Sequence, residues 1–107
     1  MSFKTPASLL SPALHDSVTP LDLELAGEKA DALARAGRKA EEALETLAGA
    51  RGVDGTPIEA LRHAAADAVF CLMIQRELCG LRNQGDMIRR YAIPADVMSR
   101  VGIVRRD

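Results

Sequence analysis

The order of apolar and polar residues predicts two long helices. From residue 20 onward, apolar or small residues recur at Leu23, Ala26, Ala30, Leu33, Gly37, Ala40, Leu44 and Leu47, with gaps alternating between three and four. That spacing keeps one helix face turned the same way, and the alternation is a heptad seam. Small residues in the seam let a second backbone approach closely. Glu28, Arg35, Lys39, Glu42 and Glu45 fall on the opposite face, as a solvated face requires. Thr19-Pro20-Leu21-Asp22 marks the start: Thr19 can cap, Pro20 suits the first turn, and Asp22 completes a capping box. The helix is expected to stop near Ala48, with Gly49 as a left-handed cap.

The second seam runs Ile58, Leu61, Ala65, Ala68, Leu72, Gln75 and Cys79. Thr56-Pro57-Ile58-Glu59 predicts a second capping box at its start. Gly85 is expected to end it, with Gly80 as a close-packing position. The glycine-rich connection over 49–55 is short enough to join only antiparallel neighbours, so the pair is a helical hairpin.

Residues 68–74, Ala-Val-Phe-Cys-Leu-Met-Ile, break the one-sided pattern. A partner helix covers one side and leaves Val69, Phe70, Met73 and Ile74 over. Burying one such side chain gives about 1.5–3 kcal/mol, so all four are expected to be covered. The candidates are the N-terminal arm, the C-terminal segment or a second copy. The rest of the chain is poor in large apolar residues, which favours a second copy: a homodimer closing into a helical bundle, with these four residues as its interface.

The flanks are shorter-ranged. Residues 1–19 form an arm broken by Pro6 and Pro12, with one helical turn expected at 12–16. Leu9, Leu10, Leu14 and Val18 suit docking on the hairpin or on a neighbouring subunit. Residues 86–107 predict two short helices, 87–91 capped by Asp86 and 95–101 closed by Gly102, parted at Ile93-Pro94. The expectation is a single all-α domain: arm 1–19, hairpin 20–85, short-helix segment 86–107.

Composition agrees. At 107 residues the chain suits one domain; with 48% apolar but only 3% aromatic residues and no Trp, it favours helix over sheet. A net charge of −1 implies no global electrostatic partner. The halves differ. Residues 1–75 carry seven Lys/Arg against eleven Asp/Glu, and residues 76–107 carry seven against four, which gives −4 and +3. That contrast fits head-to-tail contacts between copies, an anionic partner for the basic tail, or simply a solvated surface, which is favoured. Cys71 and Cys79, eight apart on one helix, would stand ~12 Å apart, beyond disulfide reach. Both fall in apolar surroundings and read as reduced core thiols. No signal peptide and no membrane span is expected, so the cytoplasm is the expected location.

Chemistry-bearing motifs are sparse, and no catalytic residue, metal site or cofactor is expected. His63 and His15 stand at no Cys–His spacing that would make a nucleophile or a zinc site. Gln75, Arg76, Glu77 and Arg82 form the densest polar cluster beside an apolar run. Either Arg76 or Arg82 grips a carboxylate or phosphate there, or Arg76 pairs with an acid of the first helix or of a partner copy while Gln75 fixes the register of the seam. Residues 87–101, a short helix, a tight turn and a second short helix ending in Arg100, resemble the core of a helix-turn-helix. The resemblance covers about fifteen residues. It implies Ser99 and Arg100 in the major groove and Arg89, Arg90, Arg105 and Arg106 on phosphates. The alternative is a cap packing Met87, Ile88, Tyr91, Val97 and Met98 on the bundle. The functional expectation is therefore a non-enzymatic, homo-oligomeric interaction or scaffold protein. A small nucleic-acid-binding regulator comes second, and a binder of small anions at the Gln75–Arg82 cluster third.

Overall fold

The computed structural model describes residues 19–103, and every regular element among them is a helix. In chain order these are α1, Pro20–Ala50; α2, Ile58–Leu78; α3, Gln84–Tyr91; and α4, Ala95–Met98. The arm up to residue 18, its expected turn at 12–16, and Arg105 and Arg106 lie outside the described residues.

The expected capping box opens α1. The Asp22 N–H donates to Thr19 Oγ1 at 3.1 Å, and the Thr19 N–H donates to Asp22 Oδ2 at 3.0 Å. Beyond that first turn, several boundaries move. Gly49 is helical rather than a cap, α1 runs on to Ala50, and Gly52 and Gly55 of the connection take positive φ. At the start of α2 the expected box does not form. Thr56 turns back, its hydroxyl donating to the Val53 and Ala50 carbonyls, and Glu59 reaches other partners. The end of α2 comes earlier than Gly85. Gly80 has φ +83°, its N–H donates to the Glu77 carbonyl, and the Leu81 N–H donates to the Arg76 carbonyl. Those two bonds close a left-handed C-terminal motif, which a glycine adopts without a Cβ clash.

The early stop sets the shape. α1 has 31 residues and α2 has 21. The ten-residue difference leaves ~15 Å of α1 with no helix beside it. The last turn of α2 lies beside Lys29, since the Cys79 thiol reaches the Lys29 carbonyl at 3.9 Å. Residues before Lys29 overhang the hairpin, and Leu21, Leu23 and Leu25 are exposed on them. The seam expected to begin at Leu23 is buried only from Ala36 onward, with Leu33 half-buried.

The hairpin buries Ala36, Ala40 and Leu47 of α1 against Ala65, Ala66 and Leu72 of α2. Alanines at the contact let the two backbones come close, as the seam implied. The C-terminal segment then folds back along the hairpin and adds Met87, Ile93 and Val97 to the same cluster. Tyr91 packs where α1 has Gly37: a Cβ built there would stand 2.9 Å from the Tyr91 hydroxyl. One buried cluster thus draws on all four helices. α3 starts earlier than expected, at Gln84, because the Asn83 side chain accepts from the Asp86 N–H and so supplies the cap expected of Asp86. α4 is one turn, Ala95–Met98, and not a helix over 95–101.

Candidate functional site

The four residues expected at a subunit interface divide. Val69 is fully buried inside the single chain, in the cluster that contains Met87, Ile93 and Val97. Met73 is half-buried against that cluster. The preference for a second copy over the C-terminal segment underrated that segment, whose apolar residues are few but well placed. Phe70 and Ile74 remain outside, 42% and 41% exposed.

These two continue into a stripe. Phe70, Ile74 and Leu78 are four apart, one above another on the outer face of α2, and Leu78 is 58% exposed. Leu81, also exposed, follows just past the helix end. Neither cysteine is in the core as expected: Cys79 is half-buried, and Cys71 lies exposed next to Phe70, because the apolar run around it is wider than the buried face of α2; both thiols are free. The stripe is bordered by charge, with Asp67, Glu77 and Arg82 all exposed.

The polar cluster of α2 is partly assembled. Arg76, Glu77 and Arg82 line one cavity with Met73, Leu81, Asn83, Gln84 and Met87. Gln75 is not among the lining residues. The cavity measures about 10 Å³, room for one water at most. Arg76 is 8% exposed and makes only long contacts, 3.5 Å to the Asn83 carbonyl and 3.9 Å to Asp86 Oδ2. It sits in the last turn of α2, where a cation meets the negative end of the helix dipole. Its acidic neighbour is therefore on α3 and not on α1.

A second cluster, unforeseen from the sequence, closes the other end of the molecule. Asp96 of α4 accepts from Arg51 through both oxygens, at 2.9 and 3.0 Å, and from Arg62 Nε at 2.8 Å. Glu59 accepts from Arg100 at 2.8 and 3.0 Å and from Arg62 at 3.3 Å, and lies 3.1 Å from His63 Nε2. His63 Nδ1 is buried with no partner. The network ties the C-terminus of α1 and the first turns of α2 to α4. Part of it was readable locally: Arg62 and His63 stand three and four residues after Glu59 on one helix face. The 34- and 45-residue separations to Asp96 were not.

Hydrogen bonds from Arg100 and then Arg62 hold the Glu59 carboxyl at about 2, well below the usual carboxylate range. Bonds from Arg51 and then Arg62 hold Asp96 likewise at about 2. Both carboxyls thus bind a proton less readily in the folded chain than in the unfolded one. Their contribution is complete above the unfolded values near 4.5 and 3.8, and is lost as pH falls through about 2. Solvent screens these half-exposed pairs, so each adds modestly to stability. Thermal melts followed by circular dichroism should fall in midpoint between pH 5 and pH 2.5, and Asp96→Asn should flatten that fall.

Of the residues assigned to nucleic acid, Arg100 is committed to Glu59 and to the Asp96 carbonyl. The Ser99 hydroxyl donates to the same carbonyl. Arg89 and Arg90 are exposed on α3. α4 is too short to act as a recognition helix, and it packs on α2 as a cap. Among the described residues no group of three His, Cys, Asp or Glu side chains could hold a metal ion. No helix among them is long and apolar enough to cross a membrane.

A family model of unknown function, DUF6665, matches residues 1–107, the whole chain. The chain belongs to the DUF6665 family. No curated protein and no solved structure matches it.

Proposed function

We propose that this DUF6665 chain is a non-enzymatic interaction protein that self-associates, working as a homo-oligomer, most simply a dimer. The observation that carries the reading is the outer stripe of α2. Phe70, Ile74 and Leu78 are contiguous, large and apolar, and 41–58% exposed. Isolated apolar residues on a surface need no explanation, but a contiguous row bordered by charge marks a contact surface. Leu21 and Leu25, four apart on one face of the overhang of α1, supply a second patch for further contacts. A cytoplasmic setting fits two cysteines that are both free thiols.

The other readings have less support. An anionic ligand larger than water does not fit the cavity at Arg76 and Arg82. Nucleic-acid binding would have to proceed without Arg100, which is held by Glu59.

Light scattering on the full chain at tens of micromolar tests the proposal. Ile74→Asp should weaken association about tenfold or more, because a carboxylate buried in an apolar contact is left unpaired. Helicity by circular dichroism should stay unchanged, since Ile74 takes no part in the buried core. Equal masses for the variant and the unmodified chain would remove α2 as the contact surface.

A further inference from the structure

We draw no further inference here: the strongest candidate, the exposed apolar row of Phe70, Ile74 and Leu78 on the outer face of α2, carries none beyond the self-association already proposed, because nothing in the structure shows what covers it.

Discussion

Leu72→Ala is expected to lower the unfolding free energy by about 2–5 kcal/mol, and Ile74→Ala, two residues on, by less than about 0.5 kcal/mol. The contrast follows from where each side chain ends. Leu72 is fully buried between α1 and the C-terminal segment, in contact with the alanine-rich seam. Removing its isobutyl group leaves a cavity in a core rich in alanine, whose side chains have no rotamers to move into it. Ile74 has 41% of its surface in water and stands outside the buried cluster. Urea unfolding followed by circular dichroism, at concentrations below association, measures both. A large loss at Ile74 would mean that the outer stripe is already buried within one chain.

The second large effect belongs to the C-terminal segment. Val97→Asp should destabilise the chain by roughly 3 kcal/mol or more, because it puts an unpaired carboxylate where no surface reaches water. Val97 is fully buried, and α4 packs on α2. The loss should not stay local, because Met87, Ile93 and Val97 cover Val69 and Leu72. Undocking α4 also separates Asp96 from Arg51 and Arg62, and Arg100 from Glu59. Hydrogen exchange should show amides around Val69 losing protection together with those of α4. If α2 amides kept their protection, the C-terminal segment would be an appendage and not a third layer of the core.

The hairpin itself was legible in the sequence. Seam spacing, the Thr19 capping box and the glycine-rich connection are local signals, and all three reflect backbone geometry within a few residues. The overhang was hidden by one boundary. With α2 ending at Gly85 it would come close to matching α1; with the stop at Gly80 it falls ten residues short. Either glycine is a sound stop on propensity. Only the Gly80 and Leu81 bonds to the Glu77 and Arg76 carbonyls decide between them. Glu59 shows the same limit from the other side. Its position suits a capping box, but Arg100, 41 residues away, offers a charge-assisted bond that a backbone N–H does not match. Val69 is surplus on a two-helix count; a third layer built from one methionine, one isoleucine and one valine takes it into the core, and no local signal shows that so few residues suffice. The stripe survives that correction in a narrower form, as Phe70, Ile74 and Leu78.

The mass of the full chain in solution bears most directly on self-association through α2. Sedimentation equilibrium over about 1 to 100 micromolar should give a weight-average mass rising from that of one chain toward twice that value. A mass of one chain, 11.5 kDa, at every concentration would contradict it.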